Sequence, residues 1–504
     1  MRIFSFGARG VAIGIAALIL TGAMTAFAIG PAGTSDRSEE LYSAIDPAKP
    51  KNVILIIGDG TDDSMITAAR NYELGAGGRF VMDELPFTGQ MTTHGLKTGP
   101  GPDYQVAYVS DSGPTASAWS TGHKTVDARI SQGPSIDQVT PGEDYETVLE
   151  TYAEQGKLTG NITTSEITDA TPAAAAAHIN NRGCHGPANM SGCPSALKAA
   201  GGKGSIAEQL VDNEVDVLMG GAAARYAQAT EPAPAPGEGR TVLQYAQDEY
   251  GYRHVDTKAE MDAVTNLSAG PVLGLFAEVN MTPMYQPLVA APPPGSGGPE
   301  AKCTPAERGT QPTLSEMTGK AIELLDNPNG FFLQVESAMV DKQEHASDIC
   351  GAIGDLAEMD RAVEVALDSQ ATHPDTLIVV TGDHSHSTQI VGGPSDGKQV
   401  ATLQTADGDP MSVAYSTSDS GSDHTGAQIR VAAKGPQAAN VTGLIDQTDL
   451  YQTLLGRPPD TLPNPPDPPS SEPPAQPKPP KKKPKKCKPA KKGGKKAKKG
   501  CKKR

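Results

Sequence analysis

The run Asn52-Val-Ile-Leu-Ile-Ile57, stopped by Gly58-Asp59-Gly60, constrains this chain more than any other stretch. An apolar segment that is continuous rather than alternating, and this short, fits a strand buried on both faces. Residues 158–164, Val215–Met219, Val272–Phe276, Phe331–Val335, Thr376–Thr381 and Ile429–Ala433 read the same way. Helical patterns fall among them, over Met65–Tyr72 with an end near Gly75, and over Leu314–Leu325, Leu356–Leu367 and Gln447–Leu455. Strands that alternate with helices require a mostly parallel sheet covered by helices on both faces. The fold class expected is therefore α/β, a three-layer sandwich around one large, mostly parallel central sheet.

Charge and composition divide the 504 residues into unequal parts. Residues 478–504 hold 15 Lys and one Arg and no acid, while the whole chain carries −16. The preceding residues therefore have 27 basic against 59 acidic side chains, a net charge of −32. An acidic body and a cationic tail are two objects joined by a linker. Residues 458–480 are rich in proline and read as an extended linker, and 481–504 as a disordered polycation. Such a tail would bind anionic cell-wall or surface polymers through salt-dependent attraction, and no specific nucleic acid is expected. At the other end, Arg2 and Arg9, the apolar Val11–Leu20 and Ala26-Phe27-Ala28 form a secretory signal pattern over residues 1–28. No later segment has the length and apolarity to span a bilayer. The body is thus expected at 29–457, exported to the periplasm, the cell surface or the medium.

Cysteine use agrees with export. Cys184, Cys193, Cys303 and Cys350 lie in the body and allow three pairings, of which spacing favours 184–193 with 303–350. Cys487 and Cys501 lie in the tail. The close paired spacing of a four-cysteine zinc site is missing.

In an open α/β sheet, functional groups collect beyond the carboxyl ends of the strands. Asp59, Glu336, and the pair Asp383 and His384 each end an apolar run. Three strands with acidic or imidazole groups in one structural place point to a metal site. Asp341 and His345 are four apart and share a face if helical. His424, in Ser-Asp-His-Thr-Gly, is a loop candidate. The mixed set Asp341, His345, Asp383, His384 and His424 suits zinc; the oxygen set Asp169, Thr171 and Glu336 suits magnesium. Ser112, in Asp111-Ser112-Gly113-Pro114, stands where an apolar segment meets a helix expected from about Thr115. By itself that position favours an N-cap, though it also suits a nucleophile beside helix N–H groups.

Eight motifs in one order resemble the bacterial alkaline phosphatases over roughly Lys51 to Gly456. They are Asn-Val-Ile-Leu-Ile-Ile-Gly-Asp-Gly (52–60), Ile-Thr-Ala-Ala-Arg-Asn-Tyr (66–72), Asp-Ser-Gly-Pro-Thr-Ala-Ser-Ala-Trp-Ser-Thr-Gly (111–122) and Thr-Ser-Glu-Ile-Thr-Asp-Ala-Thr-Pro-Ala-Ala (164–174), followed by Phe-Phe-Leu-Gln-Val-Glu (331–336), Asp-Lys-Gln-Glu-His (341–345), Gly-Asp-His-Ser-His (382–386) and Asp-His-Thr-Gly (423–426). The resemblance implies a homodimeric phosphomonoesterase with two zinc ions and one magnesium ion per subunit. Ser112 would be the nucleophile and would form a phosphoserine. Asp59 would bridge magnesium and one zinc, with Asp383 and His384 completing that zinc. Asp341, His345 and His424 would hold the other zinc, and Asp169, Thr171 and Glu336 the magnesium. Arg182 would clamp phosphate and Lys342 would help to position it, while Asp111 and His386 would orient their neighbours. The cysteines fit the family's two sequential disulfides. Two departures stand out: Gly113-Pro114 follows the serine where alanine is usual, and Thr61-Asp62 replaces Met-Gly. Asp62 is expected either to tune magnesium binding or to face solvent. The rival readings are a phosphodiesterase of the same superfamily and a surface-binding protein acting through its tail.

Overall fold

The computed structural model describes residues 37–230, 239–394, 397–417 and 422–456. The signal segment, the Pro-rich linker, the Lys-rich tail, Cys487 and Cys501 lie outside them.

The central sheet has ten strands. Their order across the sheet is Gly443–Asp446, Phe87–Thr92, Ile429–Lys434, Thr376–Gly382, Asn52–Gly58, Phe331–Ser337, Leu158–Glu166, Val217–Gly221, Val272–Leu275 and Arg253–Val255. All run in one direction except Ile429–Lys434, which pairs antiparallel with both neighbours. The expected architecture is therefore present. Periodicity could not reveal the reversal, because a buried strand has the same composition in either direction.

Alternation along Asn52–Gly58 explains the layers. Val53, Leu55 and Ile57 enter one core with Trp119, Ala173, Ile179, Leu450 and Leu454. Ile54 and Ile56 enter the other with Met65, Met317, Leu356 and Val363. Successive strand residues face opposite sides, so both faces need helices. Helices Ser112–Thr121, Ala170–Ala176 and Gln447–Leu454 cover the first; Asp63–Leu74, Leu314–Leu325 and Ile349–Gln370 cover the second. Leu314–Leu325 starts with a reciprocal cap between Thr313 and Glu316. The disulfides are Cys184–Cys193 and Cys303–Cys350.

Three local features go beyond the sequence reading. The polar stretch before Asn52 includes the short helix Ser38–Ala44. The apolar segment before Ser112 forms strand only at Val106–Ala107, and Tyr108 and Val109 are exposed. Gln389–Val391, Gln399–Gln404 and Pro410–Tyr415 join Ser296–Gly297 in a separate four-stranded sheet. No helix among the described residues is long and apolar enough to cross a membrane.

Candidate active site

Register brings the site together. Gly58 is paired with both Ser337 and Gly382, so Asp59 and Asp383 leave adjacent strands at one level. Ile57 is paired with Glu336, and Glu336 in turn with Thr163. Asp383 Oδ1 accepts the Gly60 amide at 2.8 Å, which fixes the two turns to each other.

Ser112 opens its helix at the first helical position and is 3% exposed. The cap is Asp111, whose Oδ1 accepts the Gly113 amide at 3.0 Å. Thus the expected N-cap role belongs to the neighbour, and the helix starts three residues before Thr115. Gly113 and Pro114 fit the first turn: a proline there breaks no helical hydrogen bond. A Cβ on Gly113 would stand 3.2 Å from the Arg129 carbonyl oxygen. The expected supply of helix N–H groups is mostly absent. Gly113 N and Thr115 N donate to Asp111, and Pro114 has no N–H. Ser112 Oγ instead donates to Asp59 Oδ1 at 3.3 Å and lies 3.3 Å from His384 Nε2.

Among the described residues, two sets of side chains offer ligand atoms within 4.8 Å of one another: Asp59 with Asp383 and His384, and Asp341 with His345, His386 and His424. Helix Met339–His345 places Asp341 and His345 on one face, Oδ1 and Nε2 being 3.6 Å apart. His386, expected to orient a neighbour, has Nε2 3.3 Å from Asp341 Oδ1. The rings of His384 and His424 are 3.9 Å apart, so the sets meet there.

The electrostatics suit cations. Burial and the charges of Asp341, Asp383 and Glu336 hold the Asp59 carboxyl well above its usual range. Burial likewise pushes Asp383 up to about 6 and Glu336 up to about 7, despite the Thr163 hydroxyl 2.5 Å from Glu336. Burial, reinforced by neighbouring imidazoles, keeps His384 neutral and holds His386 at about 3. Neutral imidazoles present lone pairs. Asp341 Oδ1, Asp383 Oδ2, His384 Nδ1 and His386 Nε2 are buried without a hydrogen-bond partner. Crowded carboxylates and unsatisfied buried acceptors are what divalent cations relieve.

In the third group, Asp169 is already paired with cations of the chain, whereas Glu336 has no such partner among the described residues. Asp169 accepts Arg182 Nη2 at 2.5 Å and Lys342 Nζ at 2.6 Å. Burial raises its carboxyl, but those two charges outweigh it and hold it far below the usual carboxylate range. Arg182 Nη1 also reaches Asp111 Oδ2 at 3.3 Å. Thr171 lies in the first turn of Ala170–Ala176 and its hydroxyl stands beside Glu336.

Three neighbours escaped sequence reasoning, and for a fourth, Asp62, two roles were left open. Asp62, expected in part to face solvent, is buried and caps Asp63–Leu74. Ser385 donates to its carboxylate at 2.5 Å. Glu344 is fully buried and takes the Thr388 hydroxyl. Gln447 Nε2 donates to the Asp383 carbonyl at 2.5 Å. The Thr61-Asp62 departure was a signal for Asp62; Gln447 carried none.

The alkaline phosphatase family model matches residues 50–421. Alkaline phosphatase H of Pseudomonas aeruginosa is 44% identical over 428 residues, covering 83% of this chain and 87% of the relative. Escherichia coli alkaline phosphatase is 44% identical over 431 residues, covering 84% and 88%. Streptomycin-6-phosphate phosphatase of Streptomyces griseus is 40% identical over 464 residues, covering 88% and 96%. In fold, the alkaline phosphatase of the Antarctic bacterium TAB5 superposes with a TM-score of 0.58 at 22% identity, over 81% of this chain and 97% of that one. With a family match over most of its length and relatives at this identity, the chain belongs to the alkaline phosphatase family of phosphomonoester hydrolases.

Proposed function

We propose that this protein is an exported, homodimeric alkaline phosphatase that hydrolyses phosphomonoesters through a phosphoserine at Ser112. The observation that carries the reading is the position of Ser112 Oγ, 3.3 Å from both Asp59 and His384 of one ligand set. Asp59, Asp383 and His384 would hold one zinc ion. Asp341, His345 and His424, with His386 alongside, would hold the second. Asp169, Thr171 and Glu336, with Asp59, would hold magnesium. When bound, these ions supply Lewis acidity that activates hydroxyl groups and offsets the charge of the transferring phosphoryl group.

The chain's own residues do the rest. Ser112 Oγ forms a bond to phosphorus while the bond from phosphorus to the ester oxygen breaks, and the serine hydrogen ends on the departing alcohol. A water oxygen then replaces Oγ on phosphorus, and a water hydrogen returns to Ser112. Arg182, held between Asp111 and Asp169, presents a planar fork that fits two phosphate oxygens. Lys342, tied to Asp169, places a second cation beside that fork. An alkaline optimum follows from the need for deprotonated oxygens. Residues 29–457 form the catalytic body, with the linker at 458–480 and the tail at 481–504.

A monoester leaves three non-bridging oxygens for Arg182 and the cations, whereas a diester loses one to its second substituent. Turnover of p-nitrophenyl phosphate should therefore exceed that of bis-p-nitrophenyl phosphate by about 10³-fold in kcat/KM, roughly 4 kcal/mol of transition-state stabilisation. Preference for the diester would transfer the assignment to the phosphodiesterases.

A further inference from the structure

Asp62 lies three residues beyond Asp59 and is 6% exposed. One oxygen, Oδ1, accepts the Ser64 and Met65 amides at 2.9 Å each and caps helix Asp63–Leu74. The other, Oδ2, accepts the Ser385 hydroxyl at 2.5 Å. Ser385 separates His384 from His386, and its Oγ lies 2.8 Å from Thr425 Oγ1, next to His424. The Thr425 amide also donates to the Ser385 carbonyl at 3.0 Å.

Hydrogen counting gives this chain a direction. A carboxylate only accepts, so the single Ser385 hydroxyl hydrogen is committed to Asp62. The contact between the hydroxyls then draws on the hydrogen of Thr425, which the His386 carbonyl also accepts at 3.3 Å. Two loops without regular structure, bearing three of the four histidines, are thus referred to one carboxylate on the Asp59 turn. A second tie runs from Ser387 through Ser422 to the Glu344 carbonyl, and so reaches the Asp341 helix instead.

We propose that Asp62 is a positioning residue that locks the His384–His386 and His424 loops to the Asp59 turn and so sets the spacing of the two zinc positions. This rests on the reading of those side chains as zinc ligands. Partners behind ligands typically change metal affinity by about 10- to 100-fold.

The test is zinc affinity by chelator competition on the full-length protein, with the melting temperature of the metal-free protein measured in parallel. Asp62→Ser keeps a capping oxygen but is too short to reach Ser385, and Ser385→Ala keeps the cap intact. Each should weaken zinc binding by about 10-fold or more. Because both remove one contact, the double variant should lie within about threefold of the weaker single variant. Asp62→Asn retains an accepting oxygen for the cap and can donate to Ser385, reversing the chain without breaking it. It should bind zinc within about threefold of wild type. If Asp62→Ser does not fold, Ser385→Ala carries the test alone. Wild-type affinity in both single variants, or losses that multiply in the double, would overturn the proposal. Failure of the wild-type protein itself to bind zinc would instead overturn the metal reading on which it stands.

Discussion

Ser112→Ala is expected to lower kcat/KM for p-nitrophenyl phosphate by roughly 10³-fold or more, leaving zinc content and melting temperature near wild type. The separation of effects follows from the local structure. Asp111, not Ser112, caps the helix, so the alanine removes no cap. Alanine is also the best helix former at the position it would occupy. What is lost is the oxygen 3.3 Å from Asp59 and His384. Some hydrolysis by direct attack of water would persist, because Arg182 and the ligand sets remain. A variant with full activity would require another nucleophile. A large fall in melting temperature would mean that Ser112 matters to the fold instead.

Removing divalent cations with a chelator should have an effect of comparable size. Activity should fall below about 1% and return when zinc and magnesium are restored. The melting temperature should drop by on the order of 10 °C. The cause is visible in the site's own side chains, where Asp59, Asp341, Asp383 and Glu336 are buried near one another. The metal-free protein should also show a telling pH dependence. Burial pushes Asp383 up to about 6 and Glu336 up to about 7 in the folded chain, above their unfolded values. The folded state then binds more protons than the unfolded state between those values. The stability these two carboxyls contribute to the metal-free protein therefore falls as pH rises from about 4 to 7, opposed by His386, held at about 3, whose contribution rises over the acid part of that range. Saturating zinc and magnesium should abolish that slope. Scanning calorimetry at several pH values, with and without metals, checks both statements; a metal-independent profile would contradict them.

Much of the frame was legible because parallel sheets leave a strong mark on sequence. Asn52–Ile57 and Thr376–Thr381 are apolar on both faces, and the polar residues that end them mark the sheet's carboxyl edge. Asp341 and His345 were legible as a pair because helical spacing is local. The misses have the opposite character. Ser112 and Asp111 are both good caps, and only the observed helix start decides between them. Asp62 looked like a surface acid because its partner, Ser385, is 323 residues away. The small sheet around Gln399–Gln404 and Pro410–Tyr415 is half-buried and short, so its alternation is weak. For Asp62 the deciding interaction is long-range, and periodicity does not encode it.

The central claim is that Ser112 itself becomes phosphorylated. Wild-type protein loaded with zinc and magnesium, mixed with a phosphomonoester at mildly acidic pH and quenched in strong acid, tests it most directly. Peptide mass spectrometry should find covalent phosphate on Ser112 in the peptide containing Asp111-Ser112-Gly113, and none in Ser112→Ala. Phosphate on a different residue, or rapid release of inorganic phosphate with Ser112 never labelled, would contradict the account.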